Sequence, residues 1–217
     1  MKKLLILGGS GFVGSSIVDY GFNKKLIKDK ISEIYILSRN NKSNNKKNKH
    51  IKINYISENI LSVKKIPQVD FIIYCLKSSN IKTSNNYFNK FLKLLKTLNN
   101  KPKILFTSSG AVYGKNDNKK RNTENDAINL NSIDAQAGYK KKYALEKIFV
   151  EQKITELGLK NYQVSIARCY TFIGKNIIKY NYAISDLISD ALKKKEIKLM
   201  TTSNIYRSYM HSDDLAK

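Results

Sequence analysis

Tyr143 and Lys147 stand four residues apart in the stretch YALEK, and a serine pair, Ser108 and Ser109, closes an apolar run upstream. On a helix, residues four apart share one face, so the phenol and the amine would lie side by side. A tyrosine with a reference pKa near 10 is a poor proton exchanger at neutral pH. An ammonium group beside it favours the phenolate. Lowering the pKa by about 3 units takes roughly 4 kcal/mol of differential stabilisation, which suits a partly desolvated pair. A serine at the mouth of a strand can hydrogen-bond the reacting oxygen and hold it near the phenol. Tyr139, one turn earlier, lacks this pairing because its fourth residue on is Tyr143 and not lysine. Taken alone, Y-x-x-x-K equally describes an amphipathic helix and a solvated lysine in a chain with 14 tyrosines.

A second chemical pattern opens the chain. Behind the apolar run LLIL come Gly8, Gly11 and Gly14, and Gly9, Gly11 and Gly14 also read as G-x-G-x-x-G. Glycines at this spacing allow a tight turn at a strand end, close approach of a pyrophosphate to the main chain, and close packing of the helix that follows. The exposed N–H groups and the helix dipole would meet the negative charge. The second apolar run ends in Ser38 and Arg39, where a site for NAD usually has an acidic residue for the ribose 2′-hydroxyl. Arginine suits a 2′-phosphate through a charge-assisted fork. The sequence therefore favours NADP over NAD, although an arginine stacked on adenine would leave NAD possible.

The elements that must position these residues follow from the apolar pattern. Strand-like runs recur at 4–7, 34–37, 51–56, 71–76, 103–107, 163–168 and 197–200. Several are apolar almost throughout, as strands buried on both faces are. Helical patterns fall at about 12–30, 84–99, 140–157 and 180–195. Alternation of this kind predicts an α/β fold, a doubly wound parallel sheet with helices on both faces. The polar stretch at 40–49 reads as a loop, and no internal repeat is visible. We expect a dinucleotide-binding domain over 1–170 and the start of a substrate-binding portion over 171–217. The stop after DDLAK, without a helix terminator, suggests part of a longer protein.

Composition narrows the classes. The 40 Lys and Arg against 17 Asp and Glu give a net charge of +23, which raises a nucleic acid or an anionic membrane as partner. The lysines are scattered, however, and no basic helix carries interleaved aromatics, so compositional drift is the preferred reading and no nucleic-acid partner is expected. A basic surface would still attract small phosphate-bearing molecules. Cys75 and Cys169 are too few and too far apart for a disulfide framework or zinc site, and no metal site is expected. The first apolar run is too short for a signal peptide, and no run approaches a membrane span. These features predict a cytoplasmic protein with reduced thiols.

The glycine turn, SSGAVYG, YALEK with Glu151, and RSYMHSDDLA occur in the order seen in extended short-chain dehydrogenase/reductases. The chain resembles their NAD-dependent epimerase/dehydratase branch, which modifies nucleotide sugars, over nearly its whole length. The resemblance implies a Rossmann fold. It implies catalytic roles for Ser109 as the oxygen-orienting hydroxyl, Tyr143 as acid/base and Lys147 as the group that holds the nicotinamide ribose and tunes Tyr143. For the cofactor it implies Gly8, Gly11, Phe12, Val13, Gly14, Ser38, Arg39 and Leu76 beside that pair. For the substrate it implies Ser109, Glu124, Thr171 and Arg207, with Thr171 standing where the branch commonly has asparagine. Arg168 matches the arginine of the same segment, Asp214 a largely structural aspartate, and His211 reads as a packed residue. The resemblance also implies a homodimer for the full-length protein.

Dehydratases of this branch usually carry an Asp-Glu pair directly after the serine or threonine, whereas this chain has Gly110 and Ala111. The expectation is therefore a reductase of a 4-keto sugar, with a 4-epimerase using tightly held NAD as the alternative. A non-catalytic dinucleotide-binding or RNA-binding scaffold is the reading from another class, supported by the charge alone.

Overall fold

The computed structural model describes residues 2–23, 31–39, 51–114, 122–175, 177, 183–197 and 207–217. Its centre is a six-stranded sheet made of β1 (Lys2–Leu7), β2 (Ile31–Leu37), β3 (Lys52–Ile56), β4 (Phe71–Tyr74), β5 (Lys103–Ser109) and β6 (Val164–Cys169). The strand order is β3-β2-β1-β4-β5-β6 and every neighbouring pair is parallel. This order reverses direction between β1 and β4, the crevice where such sheets bind ligands.

The LLIL run of β1 shows why the sheet must be covered twice. Its four residues are all buried. Leu5 and Leu7 face one core, with Tyr74, Phe88, Phe91, Phe106, Val150 and Ile154. Leu4 and Ile6 face the other, with Ile17, Val18, Ile34 and Ile36. Alternate side chains of a strand point to opposite faces, so a continuously apolar strand needs helices on both. Each such side chain contributes about 1.5–3 kcal/mol on full burial.

Helix α1 (Phe12–Asn23) covers the second face. Helix α2 (Ile81–Leu95) and helix α4 (Gly138–Gly158) cover the first. Between those two, α3 (Leu130–Asp134) is a short turn of helix. In α2, Asn80 caps the start by accepting from the Thr83 N–H at 2.8 Å, and Ser84, Phe88, Phe91, Leu94 and Leu95 form its buried stripe. Tyr74 sits between Phe91 and Phe106, at centroid distances of 5.2 and 5.9 Å, with edge-on rings.

The chain then leaves the large sheet. Strand β7 (Thr171–Ile173) pairs in parallel with β8 (Tyr209–His211), with Thr171 opposite Tyr209. Helix α5 (Ala183–Leu192) lies between them in sequence and α6 (Ser212–Ala216) follows. The pairing of these two three-residue strands was not expected, because so short a run has no readable period. The fourth strand ends at Tyr74, two residues before the expected end. Of the expected strand at 197–200, Ile197 is not in a strand and the rest lies outside the described residues. The expected loop at 40–49 and the end of the first helix also lie outside them. No helix among the described residues is long and apolar enough to cross a membrane.

Candidate active site

Two clusters meet at the C-terminal ends of the parallel strands. The first is the glycine turn. Gly8 has a φ of +86°, and a Cβ there would lie 2.8 Å from the Cys75 carbonyl oxygen, so both backbone angle and space require glycine. Its N–H donates to the Leu37 carbonyl at 2.9 Å, tying the turn to the end of β2. The Ser10 and Ser38 hydroxyls share a hydrogen bond across the same junction. At Gly14 a Cβ would meet Gly9 Cα at 2.4 Å, so α1 packs directly on the turn. Gly11 is different: among the described residues an added Cβ would touch only the Gly8 carbonyl oxygen, at 3.4 Å. None of the described residues demands glycine there, and the face at the start of α1 is a cradle that a side chain would fill. This fits a dinucleotide pyrophosphate. Leu76 borders the turn, its N–H 3.2 Å from where a Gly8 Cβ would be. Val13 packs on the second core. Phe12 stacks on Phe172 of β7, at 5.1 Å between centroids. Arg39 is exposed.

The second cluster lies beyond β5. Helix α4 carries a buried face that includes Glu146, Lys147 and Glu151 as well as Ala144, Ile148, Val150 and Ile154. Lys147 is 5% exposed and donates from Nζ to the Thr107 carbonyl at 3.1 Å. The ammonium also stands 4.9 Å from the Phe106 ring centroid and 5.8 Å from that of Tyr143. Burial holds it below the ordinary lysine range, and the Glu146 charge opposes that shift. Ser84 donates to Glu146 at 2.7 Å. Tyr143 is half-buried, with Tyr139 stacked on it at 5.8 Å and 17° between planes.

The structure separates the two serines that sequence leaves side by side. Ser108 is buried and donates to Glu151 Oε1 at 2.5 Å. Ser109 is half-buried, and its Oγ accepts the Ala111 N–H at 3.2 Å, capping a 3-10 turn over Gly110–Tyr113. Accepting there keeps the hydroxyl proton available to donate. Behind them, Glu151 receives Arg168 through Nε at 3.1 Å and NH2 at 2.8 Å, and Arg168 NH1 donates to the Tyr113 hydroxyl at 3.0 Å. These bonds raise Arg168 above its already high range. The network fastens β5, β6, α4 and the 3-10 turn to one another.

Ser109 pairs in register with Cys169, which places the next residue, Tyr170, beside Gly110. A Cβ at position 110 would meet the Tyr170 ring at 2.6–2.8 Å, so the ring occupies the space a side chain there would need. Asn122 Nδ2 donates to the Tyr170 hydroxyl at 3.1 Å. Both border a cavity of about 310 Å³, which Tyr113, Thr123, Glu124 and Arg168 also line. Glu124 thus shares a cavity with Arg168. Thr171 is half-buried in β7, and Arg207 is exposed just before β8.

His211 is exposed and not packed as expected; its Nδ1 accepts the Asp213 N–H at 3.2 Å and caps α6. The two cysteines are unpaired, and burial pushes the Cys75 thiol up to about 11. No group of acidic, histidine or cysteine residues suited to a metal occurs among the described residues. Sequence reasoning missed Tyr170, Asn122 and Lys77, whose ammonium lies 5.2 Å from the Tyr139 ring centroid and 6.0 Å from that of Tyr143. Only the four-residue step from Tyr139 to Tyr143 could have hinted at the stacked pair.

No curated protein sequence matches the chain significantly. Among solved structures, dTDP-glucose 4,6-dehydratase from Bacillus anthracis in complex with NAD is similar at 17% identity, covering 100% of this chain and 69% of its own, with a TM-score of 0.72. The UDP-Glc/GlcNAc 4-epimerase from Campylobacter jejuni is similar at 16% identity, with coverage of 100% and 72% and a TM-score of 0.66. RMD from Pseudomonas aeruginosa, complexed with NADPH, is similar at 16% identity, with coverage of 100% and 71% and a TM-score of 0.67. Each shares the fold, and the chain spans about two thirds or somewhat more of their lengths. Residues 4–217 match the sequence model described as the NAD dependent epimerase/dehydratase family, and the chain belongs to that family.

Proposed function

We propose that the protein is a nicotinamide-dependent nucleotide-sugar oxidoreductase, and specifically a reductase of a 4-keto sugar. The carrying observation is the buried Lys147 ammonium, anchored on the Thr107 carbonyl and 5.8 Å from the Tyr143 ring. In this reading Tyr143 gives its proton to the oxygen of the substrate carbonyl while the carbonyl carbon takes up hydride. The reduced nicotinamide, when bound, supplies that hydride. Ser109 donates to the same oxygen and holds it near the phenol. Lys147 positions Tyr143 and favours its phenolate after the proton leaves. The glycine turn holds the pyrophosphate, with Phe12, Val13, Ser38 and Leu76 along the cofactor and Arg39 at the adenosine ribose. Glu124, Thr171 and Arg207 bind the nucleotide sugar.

Tyr170 seated on Gly110 supports reduction or epimerisation over dehydration. The position where related dehydratases carry an acid has no side chain here, and its space is filled by a ring. Arg39, suited to a 2′-phosphate, favours NADPH and hence the reductase; the 4-epimerase with NAD is the second reading. Assays of NADPH and NADH oxidation with nucleotide 4-keto-hexoses test both. Tyr143→Phe is expected to keep cofactor binding and lose about 10²–10⁴-fold in turnover. Unchanged turnover would remove Tyr143 from the chemistry. Equal NADPH affinity in Arg39→Ala would remove Arg39 from the 2′-phosphate.

A further inference from the structure

Tyr143 has more company than its lysine partner. Tyr139 lies one turn earlier on α4, is 62% exposed, and stacks nearly parallel to Tyr143. A tyrosine so exposed has little hydrophobic reason to hold one orientation. Over this pair reaches Lys77, from the segment after β4, with its Nζ 5.2 Å from the Tyr139 ring centroid and 6.0 Å from that of Tyr143. The Lys147 ammonium stands at almost the same distance from Tyr143, 5.8 Å, but from within the core. Among the described residues, two cations therefore attend one phenol, from two different elements.

We propose that Lys77 is a second positioning residue for Tyr143, held in place by Tyr139, and that the pair of ammonium groups favours the phenolate. The proposal rests on the reading of Tyr143 as the acid/base. A phenolate spreads its negative charge into the ring, so a cation over the ring attracts the charged form more than the neutral one. Tyr139 contributes in two ways: its face holds the ammonium, and its stack shields one side of Tyr143 from water.

The charged and titratable groups around the site support this arrangement. From α4 come Lys147 and Tyr139, and from the segment after β4 comes Lys77. Cys75 and Cys169 lie near Lys147, and Glu146 on α4 is engaged by Ser84 of α2. Burial is the main cause that lowers Lys147, and the Lys77 charge adds to it, as expected of two cations directed at one place. The two differ in exposure. Lys147 is buried and weakly screened, whereas Lys77 is exposed and sensitive to salt.

The test needs no substrate. The 217-residue protein labelled with ¹³Cζ-tyrosine is titrated by NMR, with Tyr143→Phe identifying the Tyr143 resonance. Lys77→Met is expected to raise the Tyr143 midpoint by about half to one pH unit at low salt, and by less near 1 M salt. Lys77→Arg and Tyr139→Phe are expected to keep the wild-type midpoint, because charge and ring face persist. A Lys77→Met midpoint equal to wild type would overturn the proposal. So would an equal shift from Lys82→Met, which would mark the effect as general surface charge. A wild-type midpoint at or above the ordinary tyrosine range would instead defeat the acid/base reading, while the Lys77 difference would still be measured.

Discussion

The glycine turn after β1 and the cleft beyond β5 lie at the same edge of the sheet but are built from different material. The turn is made of backbone. Its requirements are the positive φ of Gly8, the contact between Gly14 and Gly9, and the open face of Gly11. The cleft is made of side chains that arrive from four elements: Ser108 and Ser109 from β5, Lys147 and Glu151 from α4, Arg168 from β6, and Tyr113 from the 3-10 turn. Backbone sterics tolerate almost no substitution where atoms touch and any substitution where they do not. A side-chain network loses its worth when one partner leaves, because the others are then buried without a match. The two regions should therefore fail in different ways.

Glu151→Ala probes the cleft most severely. It leaves Arg168 without its carboxylate and Ser108 without its acceptor, and about 3–5 kcal/mol of stability is expected to be lost in urea unfolding. A loss below 1 kcal/mol would mean the cleft is less dependent on its network than the turn is on its backbone. Gly14→Ala comes next, because its methyl meets backbone and not a flexible side chain. A cost of about 2–3 kcal/mol is expected, with loss of NADPH binding.

Gly11→Ala sharpens the contrast within the turn. Stability should stay within about 0.5 kcal/mol, since among the described residues the methyl makes only an ordinary contact with the Gly8 carbonyl oxygen. NADPH affinity should nevertheless fall by about tenfold or more in a fluorescence titration, equal to at least 1.4 kcal/mol of binding. Unchanged affinity would show that the open face is not a ligand cradle.

Asp70→Asn, remote from both regions, sets the smallest scale. Asp70 accepts from Lys2 Nζ at 2.7 Å and the Lys3 N–H at 2.8 Å, and the Lys2 bond chiefly holds its carboxyl below the usual range. A depressed carboxylate stabilises the fold above its unfolded pKa, near 4, and loses that contribution as pH falls through the lower folded value. The substitution should cost about 1 kcal/mol at pH 7, and the gap to wild type should close in acid.

Much of the fold was legible because its causes are local. LLIL needs cover on both faces wherever it lies in the chain, and alternating strands and helices leave few ways to supply it. A doubly wound parallel sheet follows from that alternation and its handedness, whereas the order of its six strands is seen only in the structure. The pair β7 and β8 was not legible, since three residues carry no period and their pairing joins Thr171 to Tyr209 across a long span. In the candidate site the same divide appears. Gly8, Gly11, Gly14 and the Tyr143–Lys147 step could be read directly; Ser109 was singled out only through the resemblance, and the burial of Ser108 against Glu151 was not legible.

What the sequence determined by itself was whatever a few consecutive residues enforce: a turn that needs missing side chains, a strand apolar on both faces, and a phenol and amine on one helix face. What tertiary structure decided was which serine is sealed against Glu151, that Tyr170 fills the space above Gly110, and that Lys77 reaches the Tyr139–Tyr143 stack. The physical reason is range. Torsion angles and periodicity act between neighbours and leave a spacing in the chain, while a hydrogen bond or ring contact between distant segments exists only after the sheet has brought them together.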